Sequence, residues 1–140
     1  MKKILIISIF ALSACTGFLV QEPDWISTGP TFEPYKGTVD LYSNPKDVKK
    51  PYGNLGMARL KDVPRNAKDI KSAIDVMTKF AAGKGATGML VTQEVEGENG
   101  DSGLVMIVGY AIKYKDSITP EDQKAIDDFN IIGPVDEYKK

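Results

Sequence analysis

Histidine is missing from this 140-residue chain, and cysteine occurs once, at position 15. Without histidine there is neither a Ser-His-Asp triad nor a Cys-His pair. A single thiol permits no disulfide within the chain and no zinc site built on several Cys or His ligands. Neither sign of charge dominates: 18 Lys and Arg face 19 Asp and Glu, a net of −1, and loss of Lys2 and Lys3 with a leader would bring it to −3. A nucleic-acid partner, which calls for a concentrated basic face, is not expected. Downstream of Cys15 no run of eighteen apolar residues is present, so no spanning helix is expected there. Gly83-Lys84-Gly85 lacks the further glycines and the Lys-Ser/Thr step of a phosphate loop. These absences lead us to expect a non-enzymatic protein with no cofactor and no metal, stabilised by its apolar core.

What is present begins at the start. Lys2 and Lys3 precede an apolar run from Ile4 to Ala14, interrupted only by Ser8 and Ser13. A positive lead, a short apolar stretch and a small-residue exit describe a secretory signal. Its ending, Leu12-Ser13-Ala14-Cys15, resembles the lipobox of bacterial lipoproteins. That resemblance implies recognition of Leu12, Ser13 and Ala14 by signal peptidase II and acylation of Cys15. Two or more acyl chains anchor stably where one is marginal, at about 0.8 kcal/mol per buried methylene. The expected partner is therefore a membrane, reached through Cys15. In the enterobacterial sorting pattern Asp at the next position favours the inner membrane, so Thr16 points to the outer membrane, facing the periplasm, in a cell with two membranes.

Three segments are expected: a signal peptide over 1–14, a lipid-anchored flexible tether over 15–36, and one α+β domain over 37–140. Pro23, Pro30 and Pro34 break the tether, and it shows no apolar period. Extended, twenty such residues reach roughly 70 Å. Trp25 lies within it, and docking on the domain, touching the membrane and marking a partner site are all open. Strands are expected near Thr38–Tyr42 and Leu55–Lys61. A helix should follow, with Asn66 as its N-cap, an apolar stripe through Ala67, Ile70, Ala73, Ile74, Met77, Phe80 and Ala81, and stops at Gly83 and Gly85.

A hairpin comes next, with β-rich runs at Gly88–Glu98 and Asp101–Tyr114 around Asn99-Gly100. A two-residue turn there pairs Val95 with Leu104, Gln93 with Met106, Val91 with Val108 and Met89 with Tyr110, giving one apolar face for the helix. The other face would then carry Leu90, Thr92, Val105 and Ile107, and a slip of one residue would exchange the faces. A short helix is expected from Thr119-Pro120 through Ala125, Ile126 and Phe129, ending at Gly133-Pro134. The fold class is thus α+β: a small, mostly antiparallel sheet with one long helix on one face and a short C-terminal helix.

Val39-Asp-Leu-Tyr42, Pro51-Tyr52, Leu55-Gly56 and Ala81-Ala82-Gly83-Lys84-Gly85-Ala86 resemble small bacterial envelope lipoproteins. That group includes the Rcs envelope-stress sensor lipoprotein, and the YbjQ-like proteins share a comparable β-α-β-β unit. The resemblance covers about Gly37 to Tyr114 and implies the fold and an envelope setting. The stress sensor relies on disulfides in this domain, which this chain cannot form, so no signalling mechanism is carried over.

Side-chain clusters add little chemistry. Glu94, Glu96, Glu98 and Asp101 lack the spacing of a calcium loop and read as a solvated hairpin tip. Glu94 and Glu96 share a face, yet acid–base work needs one carboxyl raised by burial, which a tip does not provide. The lysines and arginines between Lys46 and Lys68 read as loop surface, and Tyr110, Ile112 and Tyr114 as core and edge packing. The expected contact surface is Leu90, Thr92, Val105 and Ile107, with Trp25, for an envelope protein partner. The alternative is a module binding a small ligand, lipid or envelope polymer.

Overall fold

The computed structural model describes residues 21–97, 102–122 and the backbone of 131–132. Its frame is a sheet with strand order β1-β3-β5-β4-β2: β1 (Asp24–Ser27), β2 (Asp40–Tyr42), β3 (Tyr52–Pro64), β4 (Gly88–Val95) and β5 (Leu104–Tyr114). All neighbours are antiparallel except β2 and β4. A two-residue strand, β6 (Ile131–Ile132), pairs with Tyr52 and Gly53. One helix, α1 (Ala67–Gly83), packs on the sheet. This is the expected α+β class.

Local chemistry defines α1. The Asn66 side chain accepts from the Asp69 N–H at 2.9 Å and donates to the Asp69 carboxylate at 2.6 Å. At the far end the Ala86 N–H bonds the Ala81 carbonyl and the Gly85 N–H bonds that of Ala82, the paired bonds of a Schellman stop. Gly85 has φ +89°, and a Cβ there would stand 2.5 Å from the Phe32 Cβ. Between these caps Ala73, Met77 and Ala81 are fully buried. Their short neighbours on the sheet, Ala58, Gly109 and Ala111, let the helix settle close. A Cβ at Gly109 would lie 2.6 Å from Met89 Sδ.

The segment expected as tether is held on the domain from Asp24 onward, and its residues Asp24–Ser27 are a strand of the sheet. β1 pairs with Gly56–Arg59 of β3. The N–H groups of Thr28 and Gly29 both reach the Leu55 carbonyl, and those of Phe32 and Tyr35 reach the carbonyls of Lys84 and Ala82. Phe32 and Val39 belong to the core. Asp24 is nine residue steps from Cys15, a maximum of about 30 Å rather than 70 Å. Backbone bonds to β3 and to the end of α1 hold this proline-broken segment, so a local period was never needed.

The hairpin register also differs from expectation, by one residue. Val95 pairs with Val105, Gln93 with Ile107, Val91 with Gly109 and Met89 with Ala111. The ladder closes where the Glu96 N–H donates to the Leu104 carbonyl. Gly97 and Gly103 have φ of +88° and +66°, leaving strand geometry on both sides of the loop, and Ser102 Oγ donates to the Glu96 carbonyl at 2.6 Å. The connection is therefore longer than a two-residue turn. Asn99 and Gly100 lie outside the described residues.

β3 is longer than expected because two irregularities hide its alternation. One falls at Leu55 and the other at Lys61–Asp62, where Asp62 has φ 57°. At the C-terminal end Thr119 Oγ1 accepts from the Asp122 N–H at 3.3 Å, as a cap would. The expected contact residues Ala125, Ile126 and Phe129 lie outside the described residues. Ile131–Ile132 are strand, so no helix runs to Gly133: the edge of β3 at Tyr52–Gly53, beyond the end of β1, offers backbone partners there.

Candidate functional site

β2 has three residues, and it covers β4 only from Gly88 to Leu90. β4 continues to Val95, so from about Val91 its outer side has no strand beside it among the described residues. The direction of the backbone groups follows from the Glu96–Leu104 bond. Hydrogen-bonding residues alternate along an antiparallel pair, so even-numbered β4 residues face β5. Gln93 and Val95 then turn their N–H and C=O groups away from β5, toward the open side. Among the described residues no strand meets them.

A groove of about 260 Å³ runs beside this edge, lined by Leu41, Tyr42, Ser43, Ile74, Val91 and Gln93. Leu41, Val91 and Gln93 share the helix side of the sheet, and Ile74 comes from α1. Leu41 and Val95 are each 50% exposed, large for apolar side chains in a protein with a filled core. Glu94 lies on the opposite face, where its partner across the ladder is Met106. Among the described residues Glu94 has no cationic partner.

The other face of the sheet is sealed at one end by a second cluster of Tyr42, Val48, Tyr52, Leu90, Ile112 and Tyr114. Tyr114 Oη donates to Asp40 Oδ2 at 2.8 Å, so the 2.5 Å contact with Tyr42 uses the Tyr42 proton. Burial first, then these hydrogen bonds, raise Tyr114 well above the usual tyrosine range. A phenol so held is no acid at neutral pH; it staples β2 to the end of β5. Lys50 Nζ lies 5.0 Å from the Tyr114 ring and 3.4 Å from the Asp116 carboxylate. Lys113, on the helix side, stands 5.2 Å from the Phe32 ring; burial lowers its pKa, partly opposed by Asp122.

Only part of the expected contact surface assembles. Leu90 and Thr92 do lie opposite the helix, with Leu90 buried in the second cluster and Thr92 exposed. Val105 and Ile107 do not join them: both are buried beneath α1, at 1% and 0% exposure. The one-residue register shift moved every β5 side chain to the other face. Trp25 is docked. Its ring meets Phe80 edge to face at 5.7 Å and lies against Gly56, with Lys84 Nζ above both rings. Leu12, Ser13, Ala14 and Cys15 lie outside the described residues. The groove residues Leu41, Ile74, Val91 and Gln93 were not expected. Val91, Gln93 and Val95 do share the helix-facing side by alternation, but no sequence signal tells that β2 stops short of them.

No protein-family model and no curated protein matches the chain. The chain resembles a Francisella virulence factor, FvfA. The crystal structure of FvfA in its orthorhombic form superposes with a TM-score of 0.48 at 22% identity, covering 64% of this chain and 94% of that one. The specific role of this chain does not follow from that likeness.

Proposed function

We propose that this chain is a bacterial envelope lipoprotein, acylated at Cys15, that acts without catalysis through protein contacts. The observation that carries the reading is the leader: Lys2-Lys3, the short apolar run and Leu12-Ser13-Ala14-Cys15. Thr16 supports placement on the outer membrane, with the domain in the periplasm. The short link between Cys15 and β1 keeps that domain within about 30 Å of its anchor. The β4 edge, uncovered among the described residues, supports action through contacts, since an exposed strand edge is a template for another chain. A small-ligand module has less support. Among the described residues the groove beside β4, at about 260 Å³, is below the roughly 300–1,000 Å³ usual for ligand pockets.

The test is metabolic labelling with an alkynyl fatty acid, followed by fractionation of cells. The parent protein should take up label and stay with membranes through a high-salt wash. Cys15→Ser should take up none and wash free. An unlabelled parent, or a Cys15→Ser form processed and retained like the parent, would refute the proposal.

A further inference from the structure

We infer that the free edge of β4 takes up an extended, basic segment of a partner protein as an added strand, with its apolar residues seated in the groove beside α1. This rests on the reading of the chain as a protein that works through contacts. β2 covers the edge only as far as Leu90, and the outward N–H and C=O groups of Gln93 and Val95 meet no strand among the described residues. An added strand satisfies those groups. Its side chains on the helix side would lie over Leu41, Ile74 and Val91, beside the exposed Val95. Main-chain bonds give affinity in this mode, and pockets for alternate side chains give specificity.

Charge selects the occupant. On the face away from the helix the added strand would run past Thr92 and Glu94, both exposed, with Glu94 unpaired among the described residues. Lysine or arginine at alternate positions of the incoming segment would complement that carboxylate. A second copy of this chain fits less well. Two β4 edges placed antiparallel would bring Glu94 of both copies to one seam, with no cation from either β4 between them.

The test uses the full-length protein in nonionic detergent and two short peptides. One alternates lysine with valine, and the other replaces each lysine by glutamate. Gln93→Pro deletes the outward N–H, and proline is accepted at an edge strand whose N–H faces solvent. Gln93→Ala controls for the side chain and for peptide adsorbed on micelles. The lysine peptide should bind the parent and, with only the modest loss expected of one trimmed groove side chain, Gln93→Ala. Gln93→Pro should weaken it about tenfold or more, the loss of one ladder bond and close approach. A second variant, Leu41→Lys, should weaken the same peptide by placing a cation at the groove, and it keeps the test decisive should Gln93→Pro not fold. Equal binding of the two peptides would overturn the inference, as would no binding of the lysine peptide at millimolar concentration. Undiminished binding by Gln93→Pro, or by Leu41→Lys where the proline variant is unfolded, would do the same. A concentration-dependent dimer abolished by Gln93→Pro would overturn it in favour of a second copy. None of these readouts depends on acylation, so loss of the anchor and loss of edge binding are distinguishable.

Discussion

Truncating Ile107 to alanine should cost far more stability than truncating Met106, its neighbour on β5. Ile107 is fully buried beneath α1, between Gln93 on β4 and Leu60 on β3. Met106 points to the opposite face and is half-buried. Removing the Ile107 branches forfeits their transfer free energy and leaves a cavity that the alanine-lined contact with α1 cannot close, about 3–5 kcal/mol. Met106→Ala should cost about 1 kcal/mol, as for a side chain that keeps much of its contact with water. Against a total of roughly 5–15 kcal/mol, the first loss is large. It corresponds to a fall in Tm of roughly 12–30 °C for a domain of this size. Urea unfolding followed by the fluorescence of Trp25, the single tryptophan, reads both variants, because that ring packs on Phe80 of α1. With the hairpin shifted by one residue the order of the two effects would reverse. Equal costs, or a larger cost at Met106, would refute the observed register and the burial of Val105 and Ile107 with it.

The two glycines at the end of α1 should respond in opposite directions. Gly83 is exposed, helical and open around its Cα, so Gly83→Ala should stabilise by about 0.4–1 kcal/mol. Gly85→Ala meets a left-handed backbone and the Phe32 Cβ at once, and should cost at least about 2 kcal/mol in the same urea titration. The tyrosine cluster predicts an alkaline limit. Tyr114 ionises near pH 10 when unfolded and only well above that when folded, so above about pH 10 the unfolded state holds fewer protons and stability falls with pH, by up to about 1.4 kcal/mol per unit. Tyr114→Phe should flatten that decline in thermal melts between pH 8 and pH 11, although the variant is less stable at neutral pH. Lys113, with its lowered value, acts in the opposite sense, its penalty easing as pH rises toward the unfolded lysine value of 10.5.

Sequence by itself determined what local chemistry can specify. The span of α1, its Asn66 cap, its buried stripe and its stop at Gly85 all follow from 3.6-residue spacing and short-range hydrogen bonds, and the β-rich runs around Asn99-Gly100 give the presence of β4 and β5. Tertiary structure alone decided how distant pieces meet. Asp24–Ser27 carries no period and is a strand because β3 offers it partners; Gly97 and Gly103 leave strand geometry and set a loop that turns Val105 and Ile107 inward; and the candidate site exists because β2 ends at Tyr42 while β4 runs on to Val95. A cap or a stripe is fixed by neighbours within one or two helical turns. A register or an open edge is fixed by where two separate strands begin and end, which only their packing determines.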